Sequence, residues 1–373
     1  MVRMSQLVRA TDAAAPTQKP PAPDTSAHRR DPENGHSNVT AMHFPKTHEE
    51  SVQTVAEPSA NEWRASPSEK KEDSEALYRE IVEFLGHIPL LIRESRQLPW
   101  TAYQALVDRT IANLEQGADL LWISSDPYPQ GANYLVSHLA SVGILSIRIG
   151  IGLDYDQPRL HELGLAAFLF DVGMWRVPEA VLKKTSALTP DELAVIQNHT
   201  RLGAELVGQW TSANPELLEP ILQHHERENG HGYPQGLAGA LIHPNARIIG
   251  LMDVYAALIQ QRPYRRRFRC HEAIRDIVKT KHDNFSPHLI KALLAEVSFF
   301  PPPTLVKLNT GEIGRVVSVN RQQPLRPELE ILVDSRGNRL DPPKPLDLAE
   351  APFVYVVGPL HEGELKVSPD PLA

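Results

Sequence analysis

The sequence predicts a mainly α-helical protein: a helical bundle, preceded by a disordered tail and followed by a small β-rich appendage. Three observations carry this. From about Glu75 to Lys279, apolar residues recur at helical spacing with little two-residue alternation. Residues 1–74 are rich in Pro, Ser, Thr, Asn, Glu and His and keep no apolar period. After Phe300-Pro301-Pro302-Pro303 the pattern turns to alternation broken by turn residues. The chain divides accordingly into a tail (1–74), a helical N-terminal region (75–128), the main helical domain (129–298) and a β-rich appendage with its own tail (299–373).

The tail is assigned as disordered because it cannot bury enough apolar surface to offset its ordering entropy. Leu77, Ile81, Phe84 and Leu85 then mark a first helix in ALYREIVEFLGHI. A second falls in AYQALVDRTIANLEQGADLLW. A third, from about Asn133, is apolar nearly all round (NYLVSHLASVGILSIRIGIGL), which predicts a central helix. RLHELGLAAFLFDVG reads as a fourth. Thr189-Pro190-Asp191-Glu192 is a helix start, with Thr189 as N-cap, Pro190 in the first helical position and acids in the first turn. Further helical pattern surrounds His199 and His224, and runs from Ala246 to Gln260 and from His271 to Lys279. In the appendage, TLVKLNTGEIGRVVSVN alternates around a turn at Asn309-Thr310-Gly311, ELEILVDSRGNRL repeats the theme, and FVYVVG is a further candidate strand.

Bulk properties narrow the function classes. A net charge of -8 argues against binding a nucleic-acid polymer, which needs basic surface. The single cysteine, Cys270, excludes disulfide scaffolds and cysteine metal sites and fits a reducing compartment. The first residues lack the continuous apolar core of a signal peptide. Leu135 to Leu153 contains His138 and Arg148 and reads as a buried helix rather than a membrane span. A cytoplasmic protein is expected, with no membrane partner.

Polar residues inside apolar helices carry the chemistry. They are His138, Asp171, His199, the adjacent His224 and His225, and Asp253. Any one alone is more often a satisfied core group. Four histidines and two aspartates on successive helices can instead converge in a bundle core and hold metal. Nitrogen and oxygen donors without sulfur suit iron, manganese or zinc. Neighbouring side chains on a helix diverge by about 100°, so His224 and His225 can share a metal only near a helix end. The Gly-rich stretch that follows them supplies such an end.

HHERENGHGYPQGLAGALI, followed by ARIIGLMDVYAALIQQRPYR, resembles the HD-GYP family, a branch of the HD phosphohydrolases. Gly232, Tyr233 and Pro234 stand for its Gly-Tyr-Pro. The likeness extends upstream through LAAFLFDVGMWRVPEAVLKKTSALTPDELAVIQNHTRLGAEL and covers about Asn133 to Leu294, and PTLVKLNTGEIGRVVSV resembles a segment that often follows the domain. The resemblance implies an HD-type helical bundle and phosphodiester hydrolysis, usually of cyclic di-GMP, at two or three metals, commonly iron or manganese. It implies that Asp171 bridges two metals, that His199, His224 and His225 complete one site, and that His138 and Asp253 remain on the other. It also implies that Arg262 and Arg265, matching the family's Arg-Pro-Tyr-Arg, contact the anionic substrate.

Three departures weaken the pattern. The family histidine before Asp171 is Phe170, the lysine that follows is Met174, and an aspartate after Asp253 is Ala256. Tyr134 stands where trinuclear members offer a glutamate, so no third metal is expected. The expectation is a phosphodiesterase-like protein with a degenerate site: one divalent ion held tightly, a second weakly or not at all. The alternative is a catalytically silent domain that binds a nucleotide, or a protein partner through its N-terminal region.

Overall fold

The computed structural model describes residues 67–116, 120, 133–211, 214–260, 268–280, 282–320 and 323–360. Most of the expected tail, residues 1–66, therefore lies outside the described residues, as do Arg262 and Arg265. Helix α1 (Pro67–Arg93) begins inside the segment read as tail, and Ser74 is already buried, within reach of Asn113 on α2 (Trp100–Glu115).

The bundle is built on α3 (Tyr134–Gly152), capped by Asn133, whose side chain accepts from the Leu135 amide. By length and composition α3 could cross a membrane, but 83% of its most apolar window is buried inside the fold. Its all-round apolarity is met by neighbours on every side. It packs against α1, α2, α4 (Gln157–Ala167), α9 (Pro244–Ile259) and α11 (Pro287–Glu296). Arg148 near its end pairs with Glu296 of α11, both nearly buried.

The predicted fourth helix stops at Ala167, short of Asp171. Asp171 instead precedes a short 3-10 segment, Val172–Arg176. A Cβ on Gly173 would lie 2.0 Å from the His199 carbonyl oxygen, so glycine lets this segment press against the start of α7 (His199–Trp210). Between them come α5 (Glu179–Leu182) and α6 (Pro190–Gln197). The start of α6 is as read from sequence: Thr189 and Glu192 form a reciprocal capping box. Helices α8 (Pro215–Gln223) and α10 (Cys270–Thr280) complete the bundle; α11 was not anticipated.

The appendage is one antiparallel five-stranded sheet in the order β4-β3-β2-β1-β5. Its strands are β1 (Leu305–Leu308), β2 (Ile313–Ser318), β3 (Glu328–Val333), β4 (Arg339–Asp347) and β5 (Val356–Pro359). The Asn309-Thr310-Gly311 turn joins β1 to β2 as expected, with Gly311 at φ 93°. Most of β4 was not read as a strand because Pro342, Pro343 and Pro345 interrupt it. Prolines are tolerated there because β4 is an edge strand. The sheet has its own small core of Phe300, Val306, Leu308, Val316, Leu329, Ile331 and Leu348, and Phe299 packs against both this core and the main one.

Candidate metal centre

Four of the six predicted ligands meet at one point. Asp171, His199, His224 and His225 are buried, and one donor atom from each lies within 4.8 Å of the others. His224 follows the last residue of α8, so the adjacent histidines leave the helix end and both face the centre, as their sequence required.

Backbone anchoring fixes what two of these rings present. His199 Nδ1 is 2.7 Å from the Ile196 carbonyl oxygen, and His224 Nδ1 is 2.8 Å from that of Ile221. A carbonyl only accepts, so each Nδ1 carries the donated hydrogen and each neutral ring turns a lone pair inward at Nε2. The two Nε2 atoms are 3.3 Å apart. Asp171 Oδ1 lies 3.0 Å from His199 Nε2 and 3.6 Å from His224 Nε2. These are ion-pair distances, yet neither Asp171 oxygen meets a donor in hydrogen-bonding geometry, and His225 Nε2 has no partner either. With both rings neutral, acceptors converge here, which is costly in a buried site unless a cation, a metal ion or a proton, sits among them. The donor set therefore fits a divalent metal.

The electrostatics agree for Asp171 and His225, while His199, without a metal, is favoured to hold a proton. Burial would raise the pKa of Asp171, but the His199 and His224 rings outweigh it and hold the carboxyl well below the usual range. Burial would likewise lower that of His199, and Asp171 outweighs it and raises it. In His225, burial first and then the neighbouring His224, His199 and Arg227 push the pKa well down, favouring the neutral, ligating ring.

The Gly-Tyr-Pro loop folds back on this centre. Tyr233 stacks on His225 with ring centroids 4.6 Å apart, and its hydroxyl has no partner in the protein. Burial raises its pKa well above the ordinary value, so it remains a neutral donor. Gly232 allows the close approach, since a Cβ there would lie 2.4 Å from the Glu226 Cα. Glu226, which the sequence reading passed over, anchors the loop. Its carboxylate accepts from the backbone amides of Gln235, Gly236 and Leu237 at 2.6, 3.1 and 2.9 Å. The sequence signal was present: a carboxylate directly after the paired histidines and before a Gly-rich turn.

The other two predicted ligands do not join the four. His138 Nε2 is 2.8 Å from Asp253 Oδ1, and neither residue joins the group of four, although the Asp253 charge acts on His199. Phe170 lies between the groups, fully buried, with its ring 5.9 Å from that of His138 and 4.9 Å from that of His224. It offers no lone pair to either. Met174, at the position of the expected lysine, packs in an apolar cluster with Val177 and Ile196. Ala256 is buried in the core.

Comparison with known proteins gives this arrangement its class. Residues 130–289 match the HD domain model, and residues 305–368 match the KOW domain associated with HD domain. The chain thus carries an HD domain with its companion β module. Over 218 residues it is 31% identical to the cyclic di-GMP phosphodiesterase PA4108 of Pseudomonas aeruginosa, covering 58% of this chain and 52% of that protein. Over 160 residues it is 35% identical to the cyclic di-GMP phosphodiesterase response regulator RpfG of Xanthomonas campestris pv. campestris, covering 43% and 41%. The chain spans about half the length of the curated relatives it matches. Among solved structures, Bd1817, an HDG"Y"P protein from Bdellovibrio bacteriovorus, aligns with TM-score 0.44 and 19% identity over 61% of this chain and 68% of that one. With its paired histidines followed by Gly232-Tyr233-Pro234, the HD domain at residues 130–289 is of the divergent HD-GYP type.

Proposed function

We propose that the chain is a metal-dependent phosphodiesterase-like protein acting on a cyclic dinucleotide, cyclic di-GMP first, with one divalent ion held by Asp171, His199, His224 and His225. The observation that carries this reading is the convergence of buried Asp171, His199, His224 and His225, with both Asp171 oxygens and His225 Nε2 left without a hydrogen-bond partner. The relatives named as cyclic di-GMP phosphodiesterases support the substrate class. Iron or manganese suits the nitrogen and oxygen donor set. Such an ion, when bound, supplies Lewis-acid polarisation of the phosphate and of water. The chain's own groups do the rest. Asp171 brings the negative charge, while the Ile196 and Ile221 carbonyls keep His199 and His224 aimed inward. Tyr233 offers a neutral hydroxyl beside His225. Arg262 and Arg265 are assigned to the substrate phosphates on the family resemblance. A cytoplasmic setting, consistent with a lone cysteine, belongs to the same reading.

Elemental analysis of purified protein, paired with a cyclic di-GMP hydrolysis assay, tests it. About one equivalent of metal and release of linear dinucleotide are expected. In His224→Ala, both metal and activity should be lost, with metal affinity down by more than about 100-fold, since even outer partners of a metal site are worth 10–100-fold. Wild-type protein that binds metal but leaves cyclic di-GMP intact would overturn the hydrolase reading. A second reading would then lead: a silent domain that binds the dinucleotide and acts through a protein partner. Phe170 between the two groups and Met174 in place of a lysine favour it. Calorimetry with cyclic di-GMP would show binding without turnover.

A further inference from the structure

We infer that Arg227 is a positioning residue of the metal centre: its guanidinium ties together the turn that carries His224 and His225, and so sets how tightly the centre holds its ion. The inference rests on the one-metal reading above and gives Arg227 a role through the ligands rather than on the ion.

Adjacent ligands pose a backbone problem. To aim both rings at one point, the chain leaves α8 at His224, and a helix end presents carbonyls with no partner inside the helix. His224, His225, Glu226 and Arg227 are all buried, so each of their carbonyls needs a donor. All four find one. The Tyr233 amide donates to the His225 carbonyl at 3.2 Å, and the Gly230 amide to that of Arg227 at 2.8 Å. The other two are met by a single side chain. Arg227 Nη1 donates to the carbonyl oxygens of His224 and Glu226, each at 2.9 Å. Those two carbonyls stand on either side of His225, so one nitrogen with two hydrogens closes the turn around that residue.

The surroundings are shaped to admit this guanidinium. A Cβ on Gly250 of α9 would lie 2.4 Å from the His224 carbonyl oxygen and 3.1 Å from Arg227 Nη1, so glycine there leaves room for the bond between them. From another side the Phe285 ring faces the guanidinium carbon, 5.4 Å from the ring centroid. The neighbouring Asn284 carbonyl accepts from the Glu228 amide at 3.1 Å, which holds the chain just past Arg227.

His225 depends most on this closure. The rings of His199 and His224 each have a main-chain carbonyl three residues back. The His225 ring has its stack on Tyr233, and Arg227 Nη2 at 3.5 Å from its Nδ1, the outer limit of a hydrogen bond. Its place is therefore set chiefly by the main chain on either side, which Arg227 fixes. Removing the guanidinium takes the donor from two buried carbonyls. The turn must then open to find others, and opening carries His225 away from Asp171, which stands on a separate segment.

Zinc affinity, measured by chelator competition on wild type, Arg227→Met, His225→Ala and the double variant, tests this, with a thermal melt of each. Arg227→Met should weaken zinc binding by roughly 10–100-fold, the range for outer partners of a metal site. Because Arg227 acts through His225, the double variant should bind within about threefold of His225→Ala alone. A merely structural role would lower the melting temperature and leave the affinity of the folded protein where it was. A folded Arg227→Met with wild-type affinity would thus overturn the inference, as would a double variant weaker than His225→Ala by the full Arg227 factor. The arginine side-chain nitrogen-15 spectrum of wild type needs no variant to fold. Arg227 should give separate, slowly exchanging Nη signals, and a single averaged, fast-exchanging signal would also overturn the inference. Wild type that takes up no zinc would sink the one-metal reading, and the role of Arg227 with it. Wild type that takes up zinc beside an unaffected Arg227→Met would sink the role alone.

Discussion

The helical bundle and the C-terminal sheet treat their interiors differently. Among the described residues, every buried polar or charged side chain lies between Ser74 and Ser298, and the buried residues of the sheet are all apolar. A buried polar group without a partner lowers stability, so a fold chosen only for stability would resemble the sheet throughout. The bundle keeps Asp171, His199, His224 and His225 buried, with both Asp171 oxygens and His225 Nε2 unpartnered, a cost that the interior of the sheet avoids.

That contrast can be broken at several points. The largest expected effect on stability is at the Arg148–Glu296 pair, which ties α3 to α11. Glu296→Ala takes the carboxylate from a nearly buried guanidinium that keeps only neutral partners such as the Leu114 carbonyl, and should destabilise the protein by about 3–5 kcal/mol in denaturant melts. A negligible change would mean that the bundle tolerates unpaired charge generally, and the argument from the site's orphaned acceptors would weaken. Next, Ile331→Ala should remove about 2–4 kcal/mol from the apolar core of the sheet while leaving metal content at the wild-type level. Loss of metal in that variant would show that the sheet supports the site directly.

The smallest effect is a pH dependence, and its sign follows from His225. Its pKa is well below the ordinary 6.5 in the fold, so the unfolded chain takes up a proton that the folded chain refuses. Stability of the metal-free protein should therefore fall as pH drops below about 6.5, by up to about 1.4 kcal/mol per pH unit for one proton. Asp171, also held low, adds to the loss only once the pH approaches the ordinary carboxylate value of 3.8. His199 is raised and acts in the opposite sense: it contributes stability at low pH that is lost as pH rises through its folded value. Melting temperatures of wild type and His225→Gln across pH 5–7 separate these contributions. An equal slope in the two proteins would remove His225 as the cause.

What the sequence revealed depended on the range of the interaction. The capping box at Thr189 and Glu192 was legible because both partners lie within one turn. The central helix was legible from its apolarity, and the buried Asp and His groups from their chemistry in apolar surroundings. Their division into four and two was not, because it depends on where the Phe170 ring settles between α3 and the end of α8. Gln260 escaped notice for a related reason. A glutamine closing a helix reads as a surface residue until the facing helix brings His138 and Ser141 to it. The end of α4 before Asp171 was misplaced because periodicity cannot register the close contact that Gly173 permits with His199.

The prolines of β4 have a consequence of a different kind. A small sheet with bare edges is a template for further strands, and an unprotected edge invites self-association. Pro342, Pro343 and Pro345 have no amide hydrogen, and they stand on the outermost strand, with β3 on its inner side. A strand arriving at that edge would find donors missing along its length. The residues that hid β4 from a reading of the sequence thus keep the sheet from growing on that side.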